Sequence, residues 1–478
     1  MTKFKAFVRP IRGIALAVAA SAWATPAAHG AEPIKLHPEN PRYFLFRGKP
    51  AFLITSGEHY GAVLNLDFND TPYLDELRAR GFNLTRTFAG TYREVPGSFK
   101  IQANTLAPAS GRYLAPWARS KTPGAADGGN KFDLDAWDPA YFRRLTDFVA
   151  KAGERGVVVE LVLFCPFYED DLWAVNPLNA RNNVNGVGAM ARTDVWTLKD
   201  RTMVARHEAF VRKVVGELRG FDNVFYEICN EPYFGGVTLD WQARIASTIV
   251  DEEARLGGPR HMIAQNVANK QAKVSDPNPA VSLFNFHYAT PPDVVALNAG
   301  LKAALGDDET GFRGTDDLPY RTEGWEFLLA GGGLYDNLDY SFTVAHPDGT
   351  ARVAPPTPGG GGPVLRKQLS ILKDFLAAFD FVHMAPDPAV VVGGVPAKAT
   401  ARALSQKGRA YAVYLNGGNR ADLSLNLPAG RYRAEWVNPR TGAVDKAEDL
   451  DHKGGKAVLA SPGYEGDVAL RVVARGTR

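Results

Sequence analysis

The chain of 478 residues has two cysteines, Cys165 and Cys229. Two cysteines make no disulfide framework, so the fold must rest on an apolar core. They end or follow neighbouring strands in the reading below. An exported chain could oxidise them, although parallel neighbours rarely meet disulfide geometry. No C-x-x-C pair, H-E-x-x-H helix or EF-hand loop occurs, and spacing gives no metal site. A P-loop and a dinucleotide fingerprint are missing too, and no cofactor is implied. The run Gly359–Gly362 lies in a Pro-rich loop and reads as a flexible lid or spacer, not a phosphate cradle. A membrane-length apolar run is also lacking. The nearest, Gly13–Ala22, is too short and Ala-rich to span a bilayer.

That run has another reading. Lys3, Lys5, Arg9 and Arg12 precede or begin it, and Ala22-Trp23-Ala24 follows with small residues at cleavage spacing; Ala28-His29-Gly30 is a second candidate. Residues 1–31 therefore read as a signal peptide with no twin-arginine pair, and the mature protein is expected in the periplasm or outside the cell. Four of the charges behind the formal net charge of +3 lie there and no acidic residue does. The mature chain is close to neutral, which gives no electrostatic reason to expect nucleic acid as a partner.

What remains is 45% hydrophobic and 22% charged over the whole chain, an ordinary globular composition with room for a large barrel and one more module. Residues 34–49 read as a β-hairpin plugging a barrel floor. Buried strands then alternate with helices. The strands are 51–56, 82–87, 156–164, 223–230, 260–265, 281–287, 301–309 and 334–342. Helices are expected over 71–80, 139–154, 200–219, 238–256, 319–330 and 363–379, several with polar caps such as Asp138, and Asp251, Glu252 and Glu253 are placed on a solvent face. The pattern predicts a closed (β/α)8 barrel over residues 32–380. From about Phe381 the chain changes to short alternating strands separated by turns such as Asn416-Gly-Gly-Asn419, which predicts a small all-β sandwich over 381–478.

The most informative stretch is Phe225-Tyr-Glu-Ile-Cys-Asn-Glu-Pro-Tyr-Phe234. An apolar strand runs into Asn230-Glu231-Pro232, and proline cannot continue a central strand. Glu231 therefore stands at the carboxyl end of the fourth strand, the face where such barrels build active sites. The motif resembles the Asn-Glu-Pro of the cellulase-like clan of retaining glycoside hydrolases. That resemblance implies that Glu231 is a general acid/base and that Asn230 holds a sugar hydroxyl. It also implies a nucleophile at the end of the seventh strand, where strand counting places Glu309. Glu323 and Glu326 are rivals, but their surroundings read as helix. In that clan an Arg at the end of the second strand supports the nucleophile, which singles out Arg86, and the sixth-strand pair resembles His287-Tyr288. The opening stretch Asn40–Ile54 also resembles a branch of bacterial barrel glycosidases with C-terminal β-modules.

Further strand ends supply candidate sugar contacts: Glu58, His59 and Tyr60 after the first strand, and more weakly Asn266, Tyr335 and Tyr340. The third strand departs from the clan, with Cys165-Pro-Phe-Tyr168 where many members carry a histidine; Tyr168 is a candidate contact there. Sugar faces stack on aromatic rings, so of the loop tryptophans Trp117, Trp173 and Trp196, at least one is expected at the cleft. A neighbouring carboxylate should raise the pKa of Glu231. The reading is thus an exported glycosidase with a carbohydrate substrate. A non-catalytic carbohydrate-binding barrel is the alternative, to be separated by whether both carboxylates face one cleft.

Overall fold

The computed structural model describes residues 1–2 and 32–475, so the leader read from 1–31 lies outside the described residues apart from its first two. Eight parallel strands form the central sheet: Leu53–Gly57 (β1), Leu84–Phe88 (β2), Val158–Phe164 (β3), Val224–Cys229 (β4), Ile263–Asn269 (β5), Leu283–His287 (β6), Ala304–Thr310 (β7) and Leu334–Leu338 (β8). All residues of these strands except part of β5 are buried, as parallel strands covered on both faces require. The ladder runs from β2 through β3, β4, β5, β6, β7 and β8 to β1. At the remaining seam a side chain supplements sparse backbone bonds such as Asn83 N to Ile54 O (3.3 Å). Asn83 donates its amide to Phe52 O (2.8 Å) and accepts from Ile54 N (2.9 Å).

The barrel floor is apolar. Leu53, Leu84, Val158, Phe225, Leu283, Ala304 and Leu334, one from each of seven strands, pack with Ile34 and Phe44. Those two belong to the amino-terminal segment, whose short strands Lys35–Leu36, Phe44–Phe46 and Lys49–Ala51 form a three-stranded antiparallel sheet. The expected hairpin plug is thus a three-stranded one. It leaves the carboxyl ends of the strands as the open face.

The major helices are Asp70–Ala79 (α1), Pro139–Glu154 (α2), Arg201–Leu218 (α3), Leu239–Leu256 (α4), Asp317–Leu329 (α5) and Pro363–Ala377 (α6). Their starts follow cap chemistry. Asp138 accepts from Ala140 N (2.8 Å) ahead of Pro139, and Asp200 accepts from Met203 N (2.8 Å). At α1 the sequence pattern offers Asp70 or Thr71 as the cap, but the cap is Asn69, whose side chain accepts from Thr71 N. The regular strand–helix alternation is interrupted twice. Between β5 and β6 the chain is irregular, with Pro277 and Pro279 opposing a helix. Between β6 and β7 there is only the five-residue helix Asp293–Leu297. The long insertion after β2 holds an unforeseen hairpin, Trp117–Pro123 with Asn130–Trp137.

Two surface assignments are corrected. Glu252 and Glu253 are buried, not solvated: Glu252 pairs with Arg255 and Arg212, and Glu253 accepts from His261 at 2.8 Å. The glycine run 359–362 is a packed crossing, not a loose spacer. A Cβ on Gly359 would stand 1.8 Å from Gly311 O, and one on Gly361 2.0 Å from Asp339 Oδ1.

The carboxyl-terminal region forms antiparallel sheets of six and three strands around a core including Val413, Leu425, Trp436 and Leu470. It packs on α5. Trp325 stacks on Tyr414 at 5.1 Å, and Arg321 makes a bidentate pair with Asp467 at 2.8 and 3.0 Å. Covered by the barrel on one side and this sheet on the other, α5 buries every residue from Tyr320 to Leu329, Glu323 and Glu326 included. No helix among the described residues is long and apolar enough to cross a membrane.

Candidate active site

A cavity of about 670 Å³ opens at the carboxyl ends of the strands, lined by Glu231, Glu309, Tyr60, Tyr168 and Tyr288 among others. That size falls within the range of small-ligand sites, about 300–1,000 Å³. Glu231 follows β4 and Glu309 lies in β7. One oxygen of each carboxylate and a ring nitrogen of His287 all lie within 4.8 Å of one another. Both acids are buried, at 8% and 6% exposure, so each charge needs partners.

Glu309 has three. Tyr288 donates to Oε1 at 2.6 Å, and Tyr60 and Arg86 donate to Oε2 at 3.0 and 3.3 Å. Arg86, from β2, is the hub below. It grips Glu227 of β4 with two nitrogens (2.8 and 3.0 Å), donates to Asn230 Oδ1 (2.6 Å) and lies 3.3 Å from Asp308 Oδ2. Its guanidinium also stacks over the Tyr60 ring at 4.6 Å. Glu231 accepts from Tyr168 (2.6 Å) and Tyr233 (3.3 Å). Asn230 donates to Tyr168 at 2.8 Å, so Tyr168 joins the asparagine to the acid.

His287 stands between the two glutamates. Its Nδ1 is 3.3 Å from Glu231 and 3.6 Å from Glu309, and it aligns a hydrogen bond with neither. Its Nε2 faces Asp308 at 3.3 Å. Burial pulls the imidazole pKa down, yet Glu309, Asp308 and Glu231 together hold it well above the ordinary value. Burial pushes Glu231 up, but the His287 charge and the Tyr168 hydrogen bond outweigh it and hold the carboxyl below its usual range. This is opposite to the raised pKa expected from the second carboxylate. The reason is that the His287 imidazole beside Glu231, left out of the two-carboxylate argument, favours the charged carboxylate.

Backbone geometry at the site is unusual. Tyr60 (φ 57°), Glu231 (φ 36°), Lys270 (φ 67°) and Tyr288 (φ 54°) all adopt the left-handed region, sparsely populated by side-chain-bearing residues. On β7 a register shift against β6 separates Asp307 from Glu309. Asp308 sits in this bulge, and so Asp308 and Glu309 both reach Arg86 instead of pointing to opposite faces.

Beneath the cavity lies a second carboxylate group, Glu160, Glu227 and Asp308, with oxygens within 4.8 Å of one another. Such spacing can hold a cation, and here Arg86 supplies positive charge to Glu227 and Asp308. Asn285 donates to both Glu160 (2.7 Å) and Asp308 (2.8 Å). Burial pushes Glu160 well above the carboxylate range, assisted by Asp308 and Glu227.

The structure brings Glu231, Glu309, Arg86, Asn230, His287, Tyr288 and Tyr168 into one connected network. His59 also lines the cavity, 3.3 Å from Glu94. Glu58 does not reach it. Its carboxylate is turned inward to accept from Gly61 N, Ala62 N and the Thr105 hydroxyl, which staples a loop. Trp196 is fully buried behind β3, against Phe164, His207 and Trp241. Trp117 and Trp173 are buried as well, so no member of the expected tryptophan set lines the cavity. The rings at its wall are Phe88, Tyr92, Phe99, Phe234 and Phe312 besides the tyrosines named above. Tyr335 donates to Tyr320 O, away from the cavity, Tyr340 packs beside His59, and Asn266 contacts His287 Nε2 from behind. Cys165 and Cys229 are buried free thiols.

Sequence reasoning found Tyr60 only as a sugar contact, not as a partner of Glu309, and missed Glu94, Glu160, Glu227, Tyr233, Asn269 and Asp308. For Glu160 and Glu227 a signal was present: each is a lone charge inside an apolar strand, which only an interior partner such as Arg86 makes tolerable.

No protein-family model matches the chain, and no curated protein matches it. Among solved structures, the chain is similar to a candidate glycoside hydrolase from Bacteroides vulgatus (TM-score 0.64, 15% identity, covering 94% of this chain and 83% of that one). It is similar as well to a glycoside hydrolase family 5 structure from the same organism (TM-score 0.63, 14% identity, 92% of each chain). A third, described as a glycoside hydrolase, has TM-score 0.62 at 15% identity over 93% of this chain and 97% of that one. At these identities the likeness establishes the fold: a (β/α)8 barrel with a carboxyl-terminal β region.

Proposed function

We propose that the protein is a retaining glycoside hydrolase, with Glu309 as nucleophile and Glu231 as acid/base. The observation that carries this is the approach of the two carboxylates in one cavity, with an oxygen of each within 4.8 Å. Retaining enzymes hold their carboxyl groups about 5–5.5 Å apart, and inverting ones about 6.5–9.5 Å, to admit a water. The barrel neighbours described as glycoside hydrolases support the same class. A purely sugar-binding barrel has no need of two buried acids facing each other, so the catalytic reading is favoured over the alternative.

In the first step Glu309 attacks the anomeric carbon while Glu231 protonates the leaving oxygen. The proton for that transfer rests on His287 in the free protein. A sugar that expels water from the cavity raises the cost of the Glu231–His287 ion pair and favours its neutral form, which places the proton on Glu231. Esterification then removes the Glu309 charge, and Glu231 activates water for release. Tyr60, Arg86 and Tyr288 hold the nucleophile in place through hydrogen bonds to both of its oxygens. We further propose that the enzyme is exported, on the strength of the basic and apolar pattern of residues 1–31.

The test is proton NMR of the first released sugar, recorded before mutarotation, on a panel of aryl glycosides and polysaccharides. A product that keeps the substrate's anomeric configuration is expected. An inverted product sinks the two-glutamate mechanism, and binding without turnover favours the carbohydrate-binding alternative.

A further inference from the structure

The cavity wall is not electrically uniform. Its floor is carboxylate-rich, and Arg86 and His287 there are already committed to Glu227, Asp308 and the two glutamates. Two more cations line the cavity, Lys270 after β5 and Arg313 after β7. Lys270 is exposed and has no carboxylate partner among the described residues. Its backbone is held at φ 67° with the N–H donated to His287 O at 2.7 Å, a strained setting that fixes the residue beside the site. Arg313 uses a single nitrogen, 3.3 Å from Glu323, and leaves 41% of its side chain exposed.

Lys270 can be placed relative to the reaction. It follows Asn269, and the single Tyr233 hydroxyl lies within hydrogen-bond reach of both the Asn269 side-chain oxygen and Glu231. Lys270 therefore stands on the proton donor's side, where the leaving group departs. Phe234, in the turn after Glu231, presents a 44% exposed ring there, and Phe312, 41% exposed, precedes Arg313. Phe312 packs edge-on to Tyr340, which lies beside His59. The cavity lining thus combines exposed aromatic rings with one cation that has no carboxylate partner among the described residues, Lys270, and one, Arg313, that is paired with Glu323 yet 41% exposed. A sugar face packs on such rings, and an anionic substituent on that sugar meets Lys270 and Arg313.

We infer that the leaving-group subsite takes an anionic sugar unit, a uronate or a sulfated residue, recognised by Lys270, with Arg313 as a second cation lining the same cavity. This rests on the glycosidase reading and deepens it from carbohydrate to acidic carbohydrate.

The experiment compares matched substrates. Uronate-containing oligosaccharides are assayed beside their carboxyl-reduced forms, and sulfated ones beside their desulfated forms; the pair that shows a preference identifies the anion. The ratio of kcat/KM, charged over neutral, should be about tenfold or more for the wild type, the scale of one charge-assisted contact. It should fall toward unity, chiefly through KM, in Lys270→Met and Arg313→Met, both of which change exposed side chains. Calorimetric binding of the same charged oligosaccharides to the wild-type protein should weaken in both variants and with added salt. Hydrolysis of neutral members without any charged preference overturns the subsite and leaves the glycosidase reading standing. Charged binding that depends on Lys270, with no turnover of any member, sinks the glycosidase reading and keeps the anion site. Neither turnover nor charged binding sinks both.

Discussion

Nδ1 of His287 lies 3.3 Å from Oε1 of Glu231, close enough for each group to favour the charged form of the other. The imidazole is held well above its ordinary pKa and the carboxyl below its own. A histidine with a raised folded-state pKa contributes stability that is fully present below its unfolded value, about 6.5. That contribution is lost as pH rises through the folded value. The melting difference between wild type and His287→Gln should therefore be widest below about pH 6.5 and narrow on the alkaline side. The activity profile should lose its alkaline limb over the same rise, because deprotonated His287 has no proton to lend Glu231. A melting difference that grows with pH would contradict the assignment of the charge to His287.

Glu231→Gln and Glu309→Gln should each lower turnover by on the order of 10³-fold or more, since one removes the proton relay and the other the nucleophile. Folding should survive both. In Glu231→Gln the new amide oxygen can still accept from Tyr168 and Tyr233, and in Glu309→Gln from Tyr60 and Tyr288. Arg86 keeps Glu227 and Asp308 in either case. Turnover on aryl glycosides with thermal melts separates the loss of chemistry from a loss of fold. Near wild-type turnover of Glu309→Gln would place the nucleophile elsewhere.

The parts of this site that were legible in the sequence are those fixed locally. An apolar strand that stops at Asn230-Glu231-Pro232 announces a strand end, and counting strands reaches Glu309. What was not legible depends on the path of the backbone. Glu58 and Tyr60 are two residues apart, yet only Tyr60 reaches Glu309, because the chain turns through φ 57° at Tyr60 while Glu58 caps the following loop. Asp308 joins the network through a bulge that no alternation pattern contains. Trp117, Trp173 and Trp196 sit in loops rich in polar residues, which suggested sugar platforms. The fold uses them to fasten those loops to the barrel. Smaller rings, Phe99, Phe234 and Phe312, are left at the mouth.

Gly361 is required by its surroundings. Its φ is 137°, a region that side chains rarely adopt, and a Cβ there would meet Asp339 Oδ1 at 2.0 Å. Asp339 is fully buried and pairs with Arg366 of α6 at 2.6 Å. Gly361→Ala must therefore strain the backbone or displace a buried ion pair. A loss of roughly 2–4 kcal/mol is expected in denaturant unfolding. Gly156→Ala, also at positive φ (72°) but with open space around the Cβ, should cost less, about 1 kcal/mol. Equal losses would show that backbone strain alone, and not the Asp339 contact, sets the cost.

Removing residues from Phe381 onward would strip one side of α5. The helix follows β7, the strand that carries Glu309, and the terminal sheet covers one face of its buried stretch from Tyr320 to Leu329. Truncation exposes Trp325, which stacks on Tyr414, and deprives buried Arg321 of Asp467. Arg321 keeps Gln368 alone (2.8 Å). Leaving one member of a buried ion pair unpartnered costs about 3–5 kcal/mol, and a newly bared aromatic face promotes association. The truncated protein is expected to aggregate or to melt well below the full chain, even though every residue of the proposed catalytic network precedes Phe381. Carrying Arg321→Met and Trp325→Gln in the truncated chain should recover solubility by removing the stranded charge and the apolar ring together. Light scattering and thermal melts of the two truncated forms decide the matter. If the unmodified truncation is monomeric and melts with the full chain, the terminal sheet does not stabilise the barrel through α5.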